Sequence, residues 1–242
     1  MNLFEAIVSR TSGRKFDKKD VDDNLIGVLL YMAGQAPSAS NTQEWKFIVV
    51  RDAKQKDKLA VAALHQNFIK TAPVVIVVCS DLEKIKLRHG ERGERMYALQ
   101  DSGAAIQNIL LSCTALGLAS CWIGSFDEEE VKGILELPEN FRPVAMLPIA
   151  YPAETPQKPK RLAFENFTWA EKYGRKYELT VATQPEREDT RLVGPLGSYL
   201  EDLFEKIRRE RSGKKEAGVK KEKKIVKFED FLKKFKKQRP EE

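Results

Sequence analysis

Residues 10–16, RTSGRKF, gather three cations (Arg10, Arg14, Lys15) and two hydroxyls (Thr11, Ser12) around one glycine. Guanidinium forks match phosphate oxygens two at a time, hydroxyls and backbone N–H groups add neutral donors, and glycine permits close approach. Such a stretch could hold a phosphate or another compact anion; alone, it is equally a solvated basic turn. Three further stretches carry groups of related kind. APSASNTQEWKFIVV (36–50) leads Pro37, Ser38, Ala39, Ser40 and Asn41 into an apolar run. QDSGAAIQNILLSCTALGLASCWIGSF (100–126) runs from a pattern rich in small residues to a glycine turn at Trp122, Ile123, Gly124 and Ser125. YPAETPQKPKRL (151–162) sets Lys158, Lys160 and Arg161 in a proline-stiffened loop. Taken singly, these are an Asn/Ser turn, core packing and a basic loop.

The elements that must position these groups follow from apolar periodicity. Helices are expected over 2–9 and about 22–35, where Leu25, Ile26, Leu29 and Met32 share a face, and over about 54–64. KFIVV (46–50) reads as a strand, and PVVIVVCSD (73–81), short and β-branched, reads as a central buried one. The strongest helix pattern spans 95–117, with Gly117 as its C-cap. ASCWIG (119–124) predicts another strand, DEEEVKGILEL a helix capped by Asp127, and PVAMLPIAY (143–151) a last strand. Helices and strands alternate without a glycine-rich phosphate loop.

Composition narrows the function classes. Two histidines, and three cysteines (Cys79, Cys113, Cys121) without CxxC spacing, argue against a Cys/His metal site, and no metal is expected. The odd cysteine count in apolar surroundings fits reduced, buried thiols. No apolar run approaches the roughly 18 residues of a membrane span, and the start MNLFEAIVSR lacks the features of a secretory signal, so a cytoplasmic protein is expected. The pI of about 9.1 has one origin: residues 201–242 hold 16 Lys/Arg against 10 Asp/Glu, and residues 1–200 hold 26 of each. Any attraction to nucleic acid or an anionic surface therefore belongs to the tail. There the aromatics Phe228, Phe231 and Phe235 repeat at helical spacing and form no base-stacking platform, so neither nucleic acid nor membrane is an expected partner. The extension 174–242 is expected to hold helices over about 195–211 and 226–237, with 212–224 flexible between them.

Read together, in their order and spacing, the four stretches resemble the FMN-dependent nitroreductase family over roughly residues 1–173. The resemblance implies an α+β fold, with a central mixed or antiparallel sheet flanked by helices and here a charged helical C-terminal extension. It also implies an oxidoreductase that passes hydride from NAD(P)H through FMN to a nitroaromatic, quinone or related small-molecule acceptor by a ping-pong scheme. By position, Arg10, Thr11 and Ser12 match the element that holds the flavin phosphate and ribityl chain, and Arg14 the cation at the N1/O2 edge of the ring. Pro37, Ser38, Ala39, Ser40 and Asn41 match a loop that reaches the flavin from the partner subunit of a homodimer. Trp122, Ile123, Gly124 and Ser125 match the turn whose backbone N–H groups lie near N5, so that Arg14 and Gly124 carry the catalytic roles. Arg161, with Lys160 or Lys158, matches the C-terminal cation of the phosphate site.

There are departures. Glu44 stands where the family commonly has proline, which bears on the stiffness of the loop and on its charge near the ring. His65 and Asn67 align loosely and read as a helix end, while Arg88, Arg92 and Arg95 in RHGERGERMY read either as a solvated helix start or as contacts to a nicotinamide dinucleotide or acidic substrate. Two alternatives stay open: a specialised enzyme of the same family, cleaving flavin with oxygen or removing halogen, and a non-enzymatic binding protein using the basic tail.

Overall fold

The computed structural model of the protein describes residues 1–177. Met1–Gln157 lie in one compact unit, and Lys158 opens a second.

The first unit is built on a four-stranded antiparallel sheet in the order β1-β2-β4-β3, with β1 Trp45–Val50, β2 Val74–Asp81, β3 Ala119–Ser120 and β4 Phe141–Ala150. β2 is central, as its unbroken β-branched run predicts, because a strand covered on both faces has no use for polar alternation. Successive side chains point to opposite faces. Val74, Ile76 and Val78 join Ala145, Leu147 and Ile149 in one core with Ile26 and Leu29 of α2 (Asp23–Ala33) and Ile106 and Ile109 of α6 (Ala98–Ala115). Val75, Val77 and Cys79 join Met146 in a second core. It is closed by Leu59 of α3 (Ala53–Ala62), Ile69 of α4 (Phe68–Thr71) and Val131 of α7 (Glu128–Leu135). The result is a helix/sheet/helix sandwich of α+β type.

The helix ends are written in the sequence. Asn2 accepts the Glu5 N–H at 2.8 Å while the Glu5 carboxylate accepts the Asn2 N–H at 2.9 Å, a capping box that starts α1 (Leu3–Ser9). Asp127 caps α7 through the Glu130 N–H, with three glutamates in the first turn facing the positive end of the helix dipole. Gly117, at φ +75°, ends α6 and lets the Leu118 N–H return to the Cys113 carbonyl at 2.8 Å. All three cysteines are buried free thiols, and burial pushes Cys79 and Cys113 up to about 12.

Two expectations are corrected. The strand expected at 119–124 stops after Ser120: Ser12 bridges Ser120 there, the Gly13 N–H takes up the Ser120 carbonyl, and Trp122 turns outward before Ile123 rejoins Met146. The helix expected from residue 95 begins at Ala98. Ahead of it lie α5 (Leu82–Arg92), broken by Gly90 at φ +59°, and a π-helical turn over Gly93–Tyr97. α5 escaped sequence reading because it buries only Ile85 and so has almost no apolar stripe.

In the second unit, a short 3-10 turn (Phe164–Asn166) precedes Trp169, which packs on Tyr173 with ring centroids 4.6 Å apart. The tail helices expected over 195–211 and 226–237 lie outside the described residues, as does the segment 212–224.

Candidate functional site

The RTSGR segment leaves α1 at Arg10 and lies along the sheet's short edge. The Gly13 N–H donates to the Ser120 carbonyl at 3.0 Å, the Asp17 N–H to the Tyr151 carbonyl at 2.8 Å, and the Ala153 N–H to the Lys15 carbonyl at 3.1 Å. Glycine is required here by space, since a Cβ at position 13 would sit 2.9 Å from the Ala119 Cβ. Gly13→Val is therefore expected to destabilise the fold by about 1–3 kcal/mol, read as a lowered Tm, and to displace the flanking arginines.

This docking brings the first and third sequence stretches together. Burial raises the Cys121 thiol's pKa while Arg14, Ser12 and Arg10 favour its thiolate, so all three lie within electrostatic range of the 120–125 turn. Arg14 also stands 5.8 Å from the ring centroid of Phe68, and Phe68 lies 6.3 Å from Phe16. Among the described residues no ion pair involves Arg10 or Arg14. Two guanidiniums without an ion-pair partner among the described residues carry charge that a bound anion would neutralise.

Opposite them, the 121–125 turn offers open backbone. Gly124 is exposed, and a Cβ on it would meet only Trp122 Nε1, at 3.8 Å. Trp122 is itself exposed, with its ring edge 3.7 Å from where a Cβ on Gly103 of α6 would stand. Gln66 Nε2 donates to the Ser125 carbonyl at 3.2 Å, and the Asp127 N–H to Ala62 at 2.9 Å, fixing the turn to the end of α3. Gln66 and Phe68 were not singled out from the sequence, because a lone amide and a lone aromatic carry no spacing signal; His65 and Asn67 beside them are exposed.

The loop 37–43 is held separately. Ser40, Asn41 and Gln43 all have positive φ (48°, 54° and 50°), a conformation that non-glycine residues adopt at a cost. Its restraints come from neighbouring elements: the Ala39 N–H donates to Asp101 Oδ2 at 2.8 Å, Arg88 to the Ser40 carbonyl at 2.7 Å, and Lys84 to the Gln43 carbonyl at 3.1 Å. Arg88 is thus a loop tether. Arg92 donates to the Tyr97 hydroxyl at 2.9 Å. Arg95 helps line a surface cavity of about 410 Å³ together with Lys86, Glu94 and Arg142, which is remote in sequence from the cluster and shares no residue with it.

Glu44 follows this loop and is fully buried, with its pKa raised to about 7, first by burial and further by the Asp101 carboxyl beside it. A folded-state value above the unfolded 4.5 means that the folded protein holds a proton the unfolded chain releases. Stability from this group is therefore greatest below about pH 4.5 and declines as the pH rises towards 7, by up to about 3 kcal/mol. Glu44→Gln is expected to remove that decline, seen as a Tm difference from wild type that grows between pH 5 and 8.

Lys158, Lys160 and Arg161 belong to the second unit, where Lys160 and Arg161 are exposed. No group of three or more metal-ligating side chains occurs among the described residues, and none of their helices is long and apolar enough to cross a membrane.

Comparison with known proteins gives this arrangement a context. The model of the family described as "Nitroreductase family" matches residues 7–67 and 60–151. A protein of Methanothermobacter thermautotrophicus, provisionally named NADH dehydrogenase/NAD(P)H nitroreductase, is 38% identical over 162 residues, covering 64% of this chain and 80% of its own. A Thermus thermophilus protein named NADH dehydrogenase is 35% identical over 188 residues, covering 66% and 91%. A Bacillus subtilis protein named FMN reductase (NADPH) is 27% identical over 185 residues, covering 69% and 74%. Among solved structures, a nitroreductase family protein from Clostridium novyi superposes with a TM-score of 0.59 at 29% identity, over 73% of this chain and 97% of that one.

Proposed function

Because this chain belongs to the nitroreductase family and is an oxidoreductase, we propose that it binds FMN at the cluster formed by residues 10–14 and 122–125. Bound FMN would supply the redox chemistry, taking hydride from NAD(P)H and passing it, in a second half-reaction, to a quinone, nitroaromatic or related acceptor. The observation that carries this reading is the pair of guanidiniums, Arg10 and Arg14, without a carboxylate partner among the described residues and beside an exposed glycine turn. The donor set fits the cofactor: cations and hydroxyls for a phosphate and a polyol, bare backbone N–H groups for a ring edge, and an aromatic wall.

In this reading Arg10, Thr11 and Ser12 bind the phosphate and ribityl chain, and the family resemblance adds Arg161 and Lys160 as further phosphate cations. Arg14 holds its guanidinium at the ring edge where negative charge collects on reduction, and stabilises that charge in a poorly screened site. The turn Trp122, Ile123, Gly124 and Ser125 orients the ring's reacting edge, Gly124 giving a backbone N–H without a side chain in the way. No histidine or carboxylate pair is required, because no protein group exchanges the hydride.

A homodimer completes the site. α1 packs on α6 and leaves Leu3 and Ile7 exposed, and Leu99 and Leu116 of α6 are exposed too. A second copy covering this surface would bury apolar area worth roughly 25 cal/mol per Å², and would bring Pro37, Ser38, Ala39, Ser40 and Asn41 of one subunit to the flavin of the other. A cytoplasmic location belongs to the same reading. The test is steady-state oxidation of NADH and NADPH by the FMN-loaded protein against a quinone, a nitroaromatic and oxygen. Parallel double-reciprocal lines are expected with the first two, and absence of any NAD(P)H oxidation would refute the assignment.

A further inference from the structure

Among the described residues Glu44 is the most deeply buried charged one, at 0% exposure, and no other side chain donates to its two carboxyl oxygens. What lies against them is another acid, Asp101, itself only 8% exposed. Two carboxylates cannot share that space as acceptors, since neither brings a proton and desolvation penalises both charges. Asp101 is already committed as an acceptor, because its Oδ2 takes the Ala39 N–H at 2.8 Å.

We infer that Glu44 is a neutral carboxylic acid donating its O–H to the Asp101 carboxylate, and that this shared proton holds the 38–43 loop in its strained shape. Lys84 is the cation facing Glu44 from α5, but it spends a hydrogen bond on the Gln43 carbonyl. The remaining charges close in sequence or contact are Asp81, whose N–H donates to the Glu44 carbonyl and whose side chain pairs with Lys46 at 3.7 Å, and Arg88 on the Ser40 carbonyl. None of these side chains donates to the Glu44 carboxyl, and the Glu44 backbone N–H, which favours the charged form, is outweighed by burial, so the proton between the two acids has to be Glu44's own. The elevated pKa of Glu44 agrees with this.

The consequence is a chain of two bonds, Glu44 to Asp101 and Asp101 to Ala39, that ends where Ala39 leads into the left-handed residues Ser40, Asn41 and Gln43. Losing the proton places two anions side by side, and the Asp101 side chain must move. Its bond to Ala39 is then the one at risk. Glu44 is a positioning residue here; that the positioned loop serves a flavin rests on the function proposed above.

The experiment uses the full chain without added FMN, so that it does not depend on that function. Infrared difference spectra of wild type and Glu44→Gln are recorded at pH 6 and pH 9, and amide hydrogen exchange is followed at residues 38–43. Glutamine keeps an N–H donor for Asp101 at every pH. Wild type is expected to show the carbonyl band of a protonated buried carboxyl at pH 6, absent from Glu44→Gln, and to lose at least tenfold of the Ala39 amide's protection factor between pH 6 and pH 9. Glu44→Gln should hold its protection constant. An ionised Glu44 at pH 6, or equal loss of protection in both proteins, overturns the inference. FMN titrations of the same samples separate the two ideas: if the proton and protection signatures hold but no FMN binds at either pH, the flavin assignment fails and the acid pair stands.

Discussion

Arg14→Ala is expected to slow reduction of the FMN-loaded protein by NADH about 100-fold in single-turnover absorbance measurements, while changing FMN affinity by less than about tenfold. The reasoning starts from position. Arg14 is exposed, next to Phe68 rather than a carboxylate, and its field reaches the 120–125 turn. A preorganised cation aimed at charge that develops only on reaction lowers the barrier without tightening the resting complex, and removal of one such donor typically costs a factor of about 10²–10³. Arg14→Lys should restore part of the rate, because it keeps the charge and loses the fork. The midpoint potential should fall in parallel. A wild-type reduction rate and potential in Arg14→Ala would remove Arg14 from the chemistry.

The second large effect concerns retention. In Arg10→Ala/Arg161→Ala, two guanidiniums assigned to the phosphate are gone. A hydrogen bond to a charged group contributes about 1.5–3 kcal/mol, so FMN should bind roughly 10²–10⁴-fold more weakly. The reduction rate of the fraction still loaded should stay close to wild type, which separates these residues from Arg14. Riboflavin, lacking the phosphate, should bind both proteins almost equally. The single variants divide the roles: an effect confined to Arg10→Ala would leave the phosphate site to the N-terminal element alone.

The fold was legible where one physical signal dominated. β2 reads as central from its unbroken β-branched run, α7 from an Asp cap followed by three acids, and α6 from a stripe that keeps Ile106 and Ile109 on the core. It was illegible where long-range contacts override local pattern. ASCWIG looks like a strand, but the Gly13 N–H takes the Ser120 carbonyl and regular pairing ends there, leaving Trp122 and Gly124 exposed on either side of Ile123. α5, with one buried residue, has too narrow an apolar face to announce itself.

The same division holds at the candidate site. The clustered cations of RTSGRKF stand out in the sequence, whereas their proximity to Phe68 and the 120–125 turn depends on how segments far apart in the chain meet. Asp101 lies within a stretch read as core packing, yet its carboxylate anchors the 38–43 loop through Ala39. Glu44 stands out in the sequence only as a departure from proline; the burial that gives it meaning is a property of the folded chain alone.

The central claim is that FMN binds this protein at the Arg10, Arg14 and Gly124 cluster. Its most direct test is to titrate the purified, folded chain with FMN while following flavin fluorescence and visible absorption, alongside Arg10→Ala. Saturable quenching with one FMN per chain, weakened at least tenfold in the variant, is predicted. A well-folded protein that takes up no FMN in excess, or a variant that binds it as tightly as wild type, would contradict it.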